Sequence, residues 1–383
     1  MSARDARTSS RLELRTRLEL EDFPVDAAWS PDARRLVVAG GEGAVLLIDV
    51  AAALAGVVTD ARPAVGASVA TGVDAGAAAD ARADAAGEGG AAQVALVGRH
   101  EGGALAVSWQ PAGALFASCG QDGRVQLWDA RTGSAQTLSA LRPGQWVEHL
   151  AFGPGGKLLA AAAGKSVAVF DAAGGLRHRF DDHPTTVAAI AWRPKSTQLA
   201  AVGNGGLWLH TLEPRPLTRH YPWSAAALTA SWSPDGRTLA AGQQDGAVHL
   251  WYVGADSQSE MKGFGLKVTL TGWSANGRYL ATAAGEVLVV WDFSGKGPEG
   301  RKPQELRAHS QRLVALAFRP AGTWFATTAR DRRLLLWRAG SGDQPLDAHL
   351  LPAECSVLRW SNDGRWLVVM DQDGGVSLFE FME

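Results

Sequence analysis

Residues 108–129 read SWQPAGALFASCGQDGRVQLWD. An aromatic, Trp109, ends a short apolar run. A Pro-x-Gly turn at Pro111–Gly113 follows, where proline presets φ and glycine accepts a positive φ. The small apolar run Leu115–Gly120 then leads into Asp122-Gly123, a strong hairpin signal between alternating segments. A third run ends in Trp128-Asp129. The stretch predicts three short antiparallel strands joined by two tight turns.

The same pattern returns along the chain. AWSPDARRLVVAGGEGAVLLID ends at Asp49, AFGPGGKLLAAAAGKSVAVFD at Asp171 and AWRPKSTQLAAVGNGGLWLH at His210. SWSPDGRTLAAGQQDGAVHLW ends at Trp251, GWSANGRYLATAAGEVLVVWD at Asp292, AFRPAGTWFATTARDRRLLLW at Trp337 and RWSNDGRWLVVMDQDGGVSLF at Phe379. The opening aromatics are Trp29, Trp109, Phe152, Trp192, Trp232, Trp273, Phe318 and Trp360, spaced by about 40 residues except for one step of 80 after Trp29. A repeat of this period means a solenoid, a propeller or an array.

The repeat accounts for the composition. The chain has 383 residues, 46% hydrophobic and 20% charged, with 45 Gly and 15 Trp. Two turns per unit use the glycines, and packing positions use the tryptophans. Lys plus Arg is 37 against 39 Asp plus Glu, a net charge of −2 that gives no basic excess for nucleic acid. Two cysteines, Cys119 and Cys355, exclude a disulfide framework and a cysteine zinc site and read as core filler. No N-terminal apolar segment reads as a secretory signal. The longest apolar stretch, Ala44–Val58, is broken by Asp49 and is too short to span a membrane. A cytoplasmic protein is expected, with no membrane and no cofactor. Arg exceeds Lys and Ala is abundant, which suggests a high-GC bacterial gene.

A fourth strand per unit is expected in the gaps, at Gln93–Arg99, Ala135–Ala140, Leu176–Phe180, Pro216–Tyr221, Met261–Phe264, Gln304–Ala308 and Gln344–Ala348. Unit eight lacks one at its C-terminal end, whereas Arg15–Glu21 is strand-like and precedes unit one. Pairing the two closes a ring and removes two bare sheet edges. Residues 51–92 contain no aromatic and are dominated by Ala, Gly and Asp. Such a segment is expected to be a disordered insertion in blade one. Ala75–Ala86 could fold as a helix on a partner. Residues 1–10 are expected to be flexible and 11–383 to form a single domain.

This pattern resembles the WD40 repeat family of β-propellers, here as a bacterial stand-alone chain. The resemblance implies an all-β closed propeller of four-stranded antiparallel blades. Eight units favour eight blades; the alternative is seven, with unit one a degenerate addition. It further implies hydrogen-bonded tetrads at His100, Ser118, Asp122 and Trp128, and at His309, Thr327, Asp331 and Trp337. Unit four keeps only His183, with Asn204 at the Asp position. A His-Asp-Ser set looks like a hydrolase triad, but here it recurs with the repeat and reads as structural.

Other constellations are weak. His178, Asp181, Asp182 and His183 could suggest a metal site, but no second cluster completes a coordination sphere. Asp129-Ala-Arg-Thr132-Gly133 is similar to a quinoprotein motif, yet ordinary after such a third strand. No phosphate loop, serine elbow or zincin motif is present. The expected function is a non-enzymatic scaffold docking a protein or peptide on one face, the chain itself being a monomer. Candidate contacts are Trp146, Trp223, Lys267, Arg312, Arg330, Gln121 and Gln244, since Trp and Arg dominate binding hot spots. The alternatives are an accessory protein for metal or cofactor delivery docking to a GTPase-like partner, and an enzyme with its site at the channel mouth.

Overall fold

A computed structural model of the chain describes residues 11–56, 93–138, 141, 144–295 and 297–383. The described residues form eight four-stranded antiparallel sheets. Blade two, for example, runs Ala104–Trp109, Leu115–Gly120, Val125–Asp129 and Ala135–Leu138 in sequence order. The other blades repeat this meander. In blade eight the fourth strand comes from the far end of the chain, Leu12–Glu19, paired antiparallel with Gly375–Phe381. The propeller therefore has eight blades, and the N-terminal strand completes the last.

The middle strands of each blade are buried on both faces because neighbouring blades cover them. Leu36–Gly40, Leu159–Ala163 and Thr238–Gly242 are all buried, which is why their sequences run continuously apolar and small. Eight hydrophobic clusters among the described residues lie one at each junction between adjacent blades. One joins Leu36 and Val38 of blade one to Trp366 and Val368 of blade eight, so the ring is packed shut there.

The opening tryptophans do more than fill volume. Trp192 Nε1 donates to Ala151 O at 2.9 Å, Trp232 Nε1 to Ala191 O at 3.1 Å and Trp273 Nε1 to Ser231 O at 3.1 Å. Trp360 Nε1 reaches Ala317 O at 3.0 Å, and Trp29 Nε1 reaches Arg359 O at 3.3 Å. Each acceptor is the residue just before the opening aromatic of the preceding blade. These bonds staple blade to blade, including blade one to blade eight. The rings of Phe152 and Phe318 have no N–H to offer, and the Trp109 indole turns to Gly113 O of its own blade at 3.3 Å. Replacing Trp232 by Phe keeps most of the ring and leaves Ala191 O without its donor. A loss of about 1 kcal/mol in urea unfolding is expected, and the same substitution at Trp109 should not open a blade junction.

Several outer-strand boundaries differ from the sequence reading, three of them by most. The fourth strand of blade five is Ser257–Met261, not Met261–Phe264, and that of blade seven is Asp347–Leu350, not Gln344–Ala348. The closing strand starts three residues before Arg15. Outer strands face solvent on one side, so register rather than apolarity sets their limits. The segment 51–92 also begins in order. Val50–Leu54 is a helical turn, capped by the Asp49 carboxylate accepting from Ala52 N, with Val50 and Ala53 buried. Its Ala53 carbonyl accepts from Thr16 Oγ1 of the closing strand at 3.1 Å. Residues 57–92, with the Ala75–Ala86 run, and residues 1–10 lie outside the described residues. No helix among the described residues is long and apolar enough to cross a membrane.

Candidate docking face

Each blade places two loops on one face of the ring: the turn between its second and third strands, and the segment leading into its first strand. The two are tied together by backbone. Gln121 N donates to Gly103 O at 2.9 Å, Gln244 N to Ala226 O at 3.0 Å and Arg330 N to Arg312 O at 3.0 Å. Gly41 N to Phe23 O and Gln372 N to Glu354 O repeat the pattern. In blades one, two, five, seven and eight the two positions thus form one bonded pair. The turn must be tight for this. Gly123 has φ 75°, and a Cβ there would sit 2.9 Å from Gln145 O.

The face presents several side chains freely. Trp146 is 53% exposed, and Lys267, Arg312, Arg330 and Gln244 are exposed as well. Arg330 Nε meets Glu354 Oε1 at 3.1 Å. Gln121 is half-buried beside Gly102 and Gly103. The sequence reading did not single out Phe23, 43% exposed, or Leu266, 56% exposed. Phe23 was findable, because it holds the same first-strand mouth position as Trp146. Leu266 had only its place beside Lys267 to signal it.

Trp223 is turned inward and leaves the docking set. Its Nε1 donates to Gln243 Oε1 at 3.0 Å, and its ring lies 3.9 Å from that of His249. His249 in turn packs edge-on against Trp251 at 4.4 Å. Trp223 stands where blade two has His100, and Ala241 stands where blade two has Ser118. An aromatic stack has replaced the polar tetrad. Gln243 Nε2, His249 Nδ1 and Trp251 Nε1 are buried there without hydrogen-bond partners.

Blades two and seven keep the tetrad. His100 Nδ1 lies 2.9 Å from Asp122 Oδ1, its Nε2 lies 2.8 Å from Ser118 Oγ, and Trp128 Nε1 donates to Ser118 Oγ at 3.0 Å. His309, Asp331, Thr327 and Trp337 repeat this, with Trp337 Nε1 2.8 Å from Thr327 Oγ1. The carboxylate fixes the proton on Nδ1, so Ser118 donates its hydroxyl proton to Nε2 and accepts from the indole. Ser118 and Thr327 are fully buried, so no substrate reaches the hydroxyl. The set links the strands of its blade and has no nucleophile to offer. Burial holds His309 below the usual imidazole range although Asp331 favours its charged form.

Blade four solves the same problem with two histidines. His183 Nδ1 faces Lys165 O at 3.1 Å, His183 Nε2 meets His210 Nε2 at 3.1 Å, and His210 Nδ1 meets Thr218 Oγ1 at 2.9 Å. A carbonyl only accepts, so His183 carries its proton on Nδ1. His210 then donates from Nε2, and Thr218 donates to its Nδ1. Every member is satisfied while both rings are neutral.

The remaining sequence candidates do not converge. Asp181 pairs with Arg179 at 2.7 Å, His178 stacks on Phe180 and His183 is occupied as above. Among the described residues no group of three or more His, Cys, Asp or Glu could hold a metal ion. Asp129, Thr132 and Gly133 make an ordinary turn, with Gly133 N donating to Asp129 O at 2.8 Å. On the first strands, Asp26 is held by Arg359 at 2.9 Å and by Val107 N at 3.1 Å.

Comparison with known proteins places these features. The family signature described as WD domain, G-beta repeat matches residues 93–129, 215–252 and 300–338. The chain is 27% identical over 191 residues to "WD repeat-containing protein slp1" of Schizosaccharomyces pombe, covering 46% of this chain and 38% of the relative. It is 25% identical over 245 residues to "B-type cell cycle switch protein ccs52A" of Medicago truncatula, covering 60% of this chain and 50% of the relative. The matches therefore span half or less of those relatives' lengths. A chain in "Crystal Structure of Mitotic Checkpoint Complex" aligns with TM-score 0.59 at 18% identity, covering 72% of this chain and 90% of that one. This last likeness concerns the fold alone.

Proposed function

The chain is a WD40-repeat propeller, and on that premise we propose that it is a cytoplasmic, monomeric, non-enzymatic platform that docks a protein or peptide on the face described above. The observation that carries this reading is the equivalent placement of exposed Phe23, Trp146, Lys267 and Arg312 at the mouths of four first strands. Large rings and guanidinium groups, held on a rigid closed frame, suit recognition by contact.

The test is capture of a co-purifying partner by the immobilised chain. Trp146→Ala, alone and with Phe23→Ala, is expected to weaken capture about tenfold or more. Arg237→Glu lies in a first-to-second-strand turn on the opposite face and should leave capture unchanged. Equal capture by all variants, or loss only with Arg237→Glu, overturns the choice of face.

A further inference from the structure

The turn between second and third strands passes through left-handed backbone in every blade. Glycine supplies it in seven of them, as at Gly43, Gly123, Gly246 and Gly374 with φ of 104°, 75°, 83° and 93°. Blade seven uses Arg332, with φ 59°. The positions are equivalent by hydrogen bonding. Leu351 N donates to Arg332 O at 2.7 Å, as His100 N does to Gly43 O and Leu20 N to Gly374 O at 2.9 Å. At Gly43 and Gly374 the incoming segment leaves no room for a side chain. A Cβ would lie 2.0 Å from His100 O at Gly43 and 2.4 Å from Leu20 O at Gly374. Blade seven accepts left-handed strain at a residue with a Cβ, a conformation other residues avoid. What the strain places on the face is an exposed guanidinium.

That guanidinium is not alone. Arg330 is two residues before it, and Arg312 is backbone-bonded to Arg330. Lys267 holds the equivalent of the Arg312 position one blade back. The carboxylates of this rim are Glu354, which meets Arg330 at 3.1 Å, Glu286 in the blade-six turn, and Asp331, which is taken up by His309 and by the backbone N–H groups of Ser310 and Arg333. Lys267, Arg312, Arg330 and Arg332 thus face three carboxylates, of which Asp331 is already engaged within its own blade. Arg332 Nη1 donates to Pro352 O at 3.1 Å, and the residue is exposed. The site is a positive rim at the edge of the channel mouth, with the exposed Leu266 beside it.

We propose that the rim of blades six and seven binds an acidic, carboxylate-rich peptide segment of the partner, with Arg312 and Arg332 as its principal contacts. The proposal rests on the docking reading above and names the chemistry of what docks.

The probe is a fluorescein-labelled deca-glutamate peptide, followed by anisotropy at low and moderate salt with the full chain. The wild-type chain is expected to bind it, more weakly as salt rises, and to ignore a Gly-Ser peptide of the same length. Arg312→Glu should weaken binding by about fivefold or more. Arg332→Gly should weaken it by a similar factor while raising the melting temperature by about 1–2 °C, because it removes the left-handed strain. A purely structural Arg332 would move stability and leave peptide binding untouched. The assignment is overturned by wild-type affinity in both variants, by equal binding of the Gly-Ser peptide, or by a deca-uridylate binding as tightly as deca-glutamate. If Trp146→Ala abolishes partner capture while deca-glutamate fails to bind, this assignment falls and the docking face stands.

Discussion

Deletion of residues 1–19 is expected to lower the melting temperature by more than about 10 °C or to prevent soluble folding. The strand Leu12–Glu19 carries three separate contributions. Leu12 is fully buried against Leu336, Leu358 and Phe379 at the junction of blades seven and eight. Leu18 sits in the cluster joining blade eight to blade one. An even spacing would put both on one side of the sheet. The register shift between Leu14 and Thr16 reverses the pleat, so one strand feeds two junctions. Third, Arg17 Nη2 meets Asp371 Oδ2 at 2.9 Å, where the Asp371 side chain is 4% exposed. Losing Leu12 alone costs about 2–5 kcal/mol. Leaving Asp371 buried without its cation costs about 3–5 kcal/mol more. The single changes Leu12→Ala and Arg17→Met should each give a fraction of the loss in thermal unfolding. A truncated chain that melts with the wild type would mean the closing strand contributes nothing.

A second large effect is expected on acidification. Burial, and next the neighbouring His183, push His210 down to about 3; burial pushes His249 down to about 4. The unfolded chain takes up these protons near the ordinary value of 6.5. Below that pH the unfolded state binds protons that the folded state refuses, so stability falls as pH falls. The loss starts near pH 6.5 and levels off near pH 4 for His249 and pH 3 for His210. At pH 5 each contributes a loss of about 2 kcal/mol. In the chain through His183, His210 and Thr218, a proton added to His183 Nε2 would face the His210 Nε2–H, donor against donor. His210→Phe should remove about 2 kcal/mol of the difference between pH 7.5 and pH 5 in urea unfolding. An unchanged pH dependence in that variant would remove blade four from the account.

Turns and aromatics made the architecture readable from the chain alone. Asp-Gly and Pro-x-Gly have backbone demands that few other residues meet, and the opening aromatic needs a fixed place between blades. Features without such a demand were hidden. Ser257–Met261 is polar because it is an outer strand, and nothing in its composition separates it from a loop. Val50–Leu54 needs only an Asp49 cap and a groove to lie in. At the site, Trp146 lies six residues before its opening aromatic and Trp223 nine, so Trp223 falls at the place that His100 takes in blade two. Gln243 and His249 of the next blade take it up there. The indole-to-carbonyl staples were equally invisible, since four of them join residues about 40 positions apart and the fifth joins Trp29 to Arg359, with no local signature.

The pairing of Leu14 with Phe379 also sets a clock. A ribosome adds about 5–20 residues per second. Roughly 365 residues separate the two partners, so the first strand made waits on the order of 20–70 s for its place. Seven blades can assemble during that interval while the eighth lacks its edge and the strand itself lacks a sheet. Chains being made are therefore exposed to chaperones, and to one another, until Gly375–Phe381 has been synthesised.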